Sequence, residues 1–228
     1  MGDIIKDGTD FIHPEYRVIT LTVPNAPTEE PMPPTMTFYV DTRFTTAQVM
    51  RLRQMISTLL VVWRQHQEQI NDGEISSYAK CVNKYARFNL APVWFSEKLA
   101  NGRAAADVQM AGFTTQIQAN GFNRAAKAYI KYQEPTGQDF TIRGLNASNP
   151  ETNSLTVTVN PRALSNAAVG TLMLAGSLFH AWLHRVGYRH PAGIYTSYFA
   201  GEASMCVMRD NKDKVPGTPA STYTKWLD

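Results

Sequence analysis

His180-Ala181-Trp182-Leu183-His184-Arg185-Val186-Gly187-Tyr188-Arg189-His190 gathers three of the chain's five histidines into eleven positions. Two residues four apart on an α-helix project from nearly the same face, one turn apart. His180 and His184 so placed present two imidazoles to one tetrahedral metal, the arrangement of a His-x-x-x-His zinc helix. Gly187 follows, and glycine readily takes the left-handed conformation that ends a helix. The chain then turns, so that His190 approaches the same metal from the side, and Pro191 prevents helix from resuming. Three protein ligands leave a fourth position open, as in catalytic zinc sites.

The flanks make the helix a buried one. From about Asn166 to Val186 the chain is dominated by Val169, Leu172, Met173, Leu174, Leu178, Phe179, Trp182, Leu183 and Val186. A helix apolar nearly all round belongs inside a protein, with Ser165 or Asn166 as its expected N-cap. It is no membrane span, because His180, His184 and Arg185 interrupt the apolar run. Trp182 and Leu183 read as core packing.

The pattern H-A-x-x-H-x-x-G-x-x-H resembles the signature of the metzincin zinc metallopeptidases, H-E-x-x-H-x-x-G-x-x-H, at every defining position but one. Ala181 stands where that family carries its catalytic glutamate. The resemblance implies a bound Zn2+ held by His180, His184 and His190, and a peptide or protein substrate. It also implies a general base that takes the proton of the attacking water, and an alanine has none to offer. Loss of a general base costs about 10²–10⁴-fold in rate. The expectation is therefore a zinc endopeptidase that is catalytically impaired in this form. An engineered Glu→Ala exchange and a natural pseudopeptidase that captures peptides both stand open, and the intact ligand set favours the first. Another three-histidine zinc hydrolase, for instance one acting on cell-wall peptides, is a further alternative.

The same resemblance implies a methionine-containing turn beneath the metal. Met205 in Ser204-Met205 is the candidate, with Met208 the runner-up, although methionine is more often core filler. Several subgroups of that family also place a metal-proximal tyrosine just after the methionine; Val207 and Asp210 stand in the corresponding places here, and Tyr195 and Tyr198, earlier in the chain, are the candidates to approach the site. Glu202 as a displaced base is weaker than Glu202 as a surface carboxylate.

Working outward, Tyr16 to Val23 alternates as a strand should. Pro24 to Pro34 carries five prolines and reads as irregular loop. Met36 to Val40 is a second strand. Thr45 or Thr46 then caps a long helix to about Asn71, whose stripe is Met50, Leu52, Met55, Ile56, Leu59, Leu60 and Trp63. His66 at its polar end reads as a surface residue, and His13 beside Pro14 as loop. After that helix the pattern turns to strands: Tyr85 to Leu90, Ala128 to Tyr132, Phe140 to Arg143 and Leu155 to Val159. The fold expected is α+β, a twisted mixed sheet backed by a long helix, with the buried zinc helix and a small C-terminal lobe. A single domain is expected, its N-terminal lobe covering about 1–187 and its C-terminal lobe about 188–228, since 228 residues suit one core.

Net charge is +3 with the basic residues scattered, which gives no nucleic-acid stripe. Met1-Gly2-Asp3-Ile4-Ile5-Lys6 has no apolar signal-peptide core, and Lys6 breaks the myristoylation pattern. Delivery by a dedicated secretion machine, a trimmed leader and a cytoplasmic location all remain open, as does oligomeric state. Cys81 and Cys206 could form one bridge, but two cysteines make no disulfide framework, and buried free thiols are the expectation.

Overall fold

The protein is described by a computed structural model covering residues 14–135 and 142–228. His13, the N-terminal segment and Phe140–Thr141 lie outside the described residues. The architecture is α+β, with a five-stranded mixed sheet and six helices among the described residues.

Strands β1 (Tyr16–Thr22) and β2 (Thr35–Asp41) pair antiparallel around the proline-rich connection, with Ile19 opposite Phe38. Strand β3 (Ala128–Tyr132) runs parallel to β2, and β5 (Val157–Val159) runs parallel to β3. Strand β4 (Ile142–Arg143) pairs antiparallel with β5 and takes the edge, giving the order β1-β2-β3-β5-β4.

The long helix α1 (Thr46–Asn71) begins with a capping box: the Thr45 side chain accepts from Gln48 N, and Gln48 Oε1 accepts from Thr45 N. Its stripe is buried as expected except at Met50, which is 58% exposed. Met50 lies a turn off the line running through Leu52, Met55, Ile56, Leu59 and Trp63, and so faces outward. His66 is the opposite correction. It is not a surface residue but 1% exposed, its Nδ1 2.7 Å from Ser76 Oγ.

The strand expected at Tyr85 to Leu90 does not form, and two further helices lie on either side of it. Helix α2 (Ser77–Tyr85) starts where the Ser76 side chain accepts from Ala79 N, and α3 (Gly102–Gly121) where Asn101 accepts from Ala104 N. Residues 86–90 keep only an isolated bridge, Phe88 with Tyr198. The α3 face that packs inward is built from Ala105, Ala106, Gln109, Met110, Gly112, Phe113 and Ile117. Alanine, glycine and glutamine hold positions that a hydrophobic pattern leaves unread.

Helix α4 (Thr171–Val186) carries the first two histidines. It starts later than expected, with Gly170 at its N-cap, because residues Ala163–Ser165 form a separate 3-10 turn. Phe38 of β2, Phe113 of α3 and Trp182 of α4 meet at the centre of the core, with ring centroids 6.1 Å apart for Phe38–Trp182 and 5.6 Å for Phe113–Trp182. Helix α5 (Phe199–Met208) packs along α4, and a short α6 (Ser221–Thr224) follows. Cys81 of α2 and Cys206 of α5 are joined by a disulfide, which corrects the expectation of free thiols. Sequence spacing is silent on a pairing across 125 residues; the packing of α2 on α5 is what brings the two together. No helix among the described residues is long and apolar enough to cross a membrane.

Candidate metal centre

His180 and His184 leave α4 one turn apart, as their spacing requires. Gly187 ends the helix at φ +105°, a left-handed conformation that costs a side-chain-bearing residue strain, and His190 follows on the turned chain. The ligating atoms of His180, His184 and His190 lie within 4.8 Å of one another, close enough to hold one metal ion. His180 and His184 are buried, and His190 is half-buried, so the centre opens on the His190 side.

Each imidazole is fixed by a backbone carbonyl on its far nitrogen. His180 Nδ1 faces Ala200 O at 3.3 Å, His184 Nδ1 faces Tyr188 O at 3.0 Å, and His190 Nδ1 faces Pro191 O at 2.8 Å. A carbonyl only accepts, so each Nδ1 carries the proton and each Nε2 presents a lone pair. Ser204 Oγ, 3.3 Å from His180 Nδ1, donates its own proton to Ala200 O and agrees with that tautomer. The Nε2 atoms face each other: His180–His190 at 3.1 Å and His180–His184 at 3.3 Å.

Three lone pairs at these separations repel unless a cation stands between them. With zinc–nitrogen bonds of 2.0–2.1 Å, the edge of a tetrahedral site is about 3.3 Å, and the two separations from His180 Nε2 lie near that value. Protonation does not offer a substitute. Burial, reinforced by the neighbouring His184 and His190, holds the His180 imidazolium well below its ordinary range, and burial pushes His184 down to about 4. Near neutral pH both stay neutral, the form that binds metals.

Ala181 is fully buried beside the ligands, and α4 supplies no carboxylate there. Tyr195 comes to the centre, its ring centroid 5.1 Å from that of His190 and 5.8 Å from that of His180. Tyr198 instead packs on Phe88 at 5.4 Å and precedes α5. Met205 and Met208 lie on α5 and not in a turn, because Phe199-Ala200-Gly201-Glu202-Ala203 begins a fully buried helix there. Both still pack with Leu227 and Tyr195 under the site. Glu202 is no surface carboxylate. It is 1% exposed, accepts from Ser197 N at 3.0 Å and pairs with Lys214 Nζ at 2.9 Å, which commits it to structure.

Sequence reasoning missed the carbonyl clamps at Ala200, Tyr188 and Pro191, which no side-chain pattern announces. It also missed Asp228, whose Oδ1 lies 3.5 Å from His180 Nε2. Burial raises the Asp228 carboxyl to about 6.

No protein-family profile matches the chain, and no curated protein and no solved structure matches it.

Proposed function

We propose that the protein is a zinc-binding domain of metallopeptidase type, held by His180, His184 and His190, in which Ala181 leaves the hydrolytic base missing. The observation that carries this reading is the convergence of three imidazoles, with His180 Nε2 3.1 Å from His190 Nε2 and 3.3 Å from His184 Nε2 and a carbonyl facing each Nδ1. Zinc suits three neutral imidazoles, and when bound it supplies a Lewis acid that polarises a carbonyl.

The surroundings suit an extended peptide. Strand β4 is the sheet edge nearest α4, and the chain beyond it stays on the helix: Ala147 N donates to His184 O at 3.1 Å and Arg185 Nη1 donates to Leu145 O at 3.1 Å. An edge strand beside a metal is a place where a peptide backbone can add by strand pairing. Tyr195 stands on the His190 side, its hydroxyl donating to the Leu227 carbonyl at 3.5 Å. Without a carboxylate at 181 the bound peptide is held and not cut.

A natural origin for Ala181 is the reading its burial favours. Ala181 has no exposed surface, so a glutamate in its place would have to displace the atoms that cover it. On that view the protein captures peptides, as a pseudopeptidase. The Cys81–Cys206 bridge supports an oxidising compartment for the folded protein.

Elemental analysis after purification without added metal tests the centre. About one zinc per chain, lost in H184A, is expected; no zinc in the folded wild type overturns the reading. A zinc-loaded A181E variant then separates the origins. Cleavage of a peptide library by A181E speaks for an exchanged glutamate, and a folded, zinc-loaded but inert A181E speaks for the pseudopeptidase.

A further inference from the structure

The three-histidine centre has a carboxylate beside it that α4 does not supply. Asp228 Oδ1 is 3.5 Å from His180 Nε2, and that oxygen is fully buried with no hydrogen-bond partner among the described residues. A buried carboxylate oxygen left without a partner is costly, and such an atom asks for an explanation. The segment carrying it is anchored: Ser177 of α4 donates to the Trp226 carbonyl at 2.6 Å, and Leu227 is buried against Met205 and Met208.

The tautomer of His180 decides what Asp228 meets. With Nδ1–H on Ala200 O, Nε2 turns its lone pair toward the aspartate side chain, and the Asp228 backbone also lies within hydrogen-bond reach of His180. Two electron-rich atoms at this distance are stable when a cation lies beside both. That separation, to the one histidine of the three that Asp228 approaches as an ion-pair partner, is close to the edge of about 3.3 Å expected between nitrogen and oxygen ligands of one tetrahedral zinc.

We propose that Asp228 is a fourth ligand of the metal held by His180, His184 and His190, so that the chain closes the centre with its own carboxylate. This rests on the zinc-binding reading above and adds a regulatory consequence to it. A peptide carbonyl or other incoming ligand must displace Asp228 to reach the metal. The segment that carries Asp228 is then a latch, and displacement of its carboxylate opens the position.

The full chain loaded with Co2+ tests this by visible absorption, with acetohydroxamate as the competing ligand. The wild type is expected to bind Co2+ and to resist acetohydroxamate. D228N is expected to bind Co2+ roughly 10–100-fold more weakly and to change its spectrum at much lower acetohydroxamate concentrations. Equal Co2+ affinity and equal acetohydroxamate titrations in the two proteins overturn the assignment of Asp228 while leaving the three-histidine centre standing. Failure of the folded wild type to take up Co2+ overturns the centre itself. Should D228N not fold, infrared difference spectra of wild-type protein labelled with 13C at aspartate carboxylates decide the matter. A labelled carboxylate band that shifts on Zn2+ addition is expected, and an unchanged band overturns the proposal.

Discussion

Gly144 lies backbone to backbone against Ala181: a Cβ placed on Gly144 would stand 2.0 Å from the Ala181 carbonyl oxygen. The chain leaving edge strand β4 thus touches the metal-bearing helix at the residue between the first two ligands. Nothing there can yield cheaply, since the opposing atoms are helix backbone.

G144A is therefore expected to lower unfolding free energy by about 1–3 kcal/mol, the usual cost of overpacking. Urea denaturation with an unchanged slope checks it. A fall in zinc affinity should accompany it, because the strain falls on the turn of α4 that carries the ligands.

Gly187 sets the direction of His190. Its φ is +105°, and a Cβ there would come within 2.8 Å of Trp94 Cδ1. Gly73 also has positive φ, +77°, but with open space around it. G73A should cost only the conformational penalty of about 1–2 kcal/mol. G187A should cost more and should weaken zinc binding as well, read by chelator competition on the two variants side by side.

Cys81 and Cys206 tie α2 to α5, the helix whose Ala200 carbonyl holds His180. The C81S/C206S double variant is expected to lose about 2–5 kcal/mol of stability. Thermal unfolding with and without reductant checks this: reductant should lower the wild-type midpoint and leave that of the variant unmoved.

Stability should also fall on acidification because of His66. Burial lowers its pKa from 6.5 to about 4. Between those values the unfolded chain binds a proton that the folded chain refuses, so unfolding becomes easier as pH drops from 6.5 toward 4. The full effect is roughly 3 kcal/mol at 1.36 kcal/mol per pKa unit. His180 and His184 act in the same direction in metal-free protein, so the comparison that isolates His66 is H66N against wild type. The variant should show a flatter profile of denaturant-derived stability over that window, with Ser76 still offered a partner.

The three-histidine cluster was legible in the sequence because its geometry is local. Four residues of helix, a left-handed glycine and a short turn determine where His180, His184 and His190 go. β1, β2, β3 and α1 were legible for the same reason, each marked by period or cap. Helix α3 was not, because Ala105, Ala106, Gly112 and Gln109 fill its inward face and mute the apolar stripe; Asn101, a capping residue ahead of that spacing, was the available signal. His66 and Glu202 were misplaced because burial depends on what packs over a residue, which for them is Tyr78 and the Ser197–Lys214 region. Asp228 and the disulfide partners meet only through tertiary packing, and no spacing rule reaches them.

The disulfide and a metal held on the three histidines would constrain very different amounts of chain. The three histidines span eleven residues, whereas the disulfide closes a loop of 125 residues. The entropy of closing a loop grows with the logarithm of its length. Stripping such a metal would accordingly free little of the chain and be a local event, felt at the end of α4 and in the turn to His190. Reducing the bridge enlarges the whole unfolded ensemble. On the zinc-binding proposal the molecule would shed its ion and keep its fold, while the covalent tie governs how far the chain expands once that fold is lost.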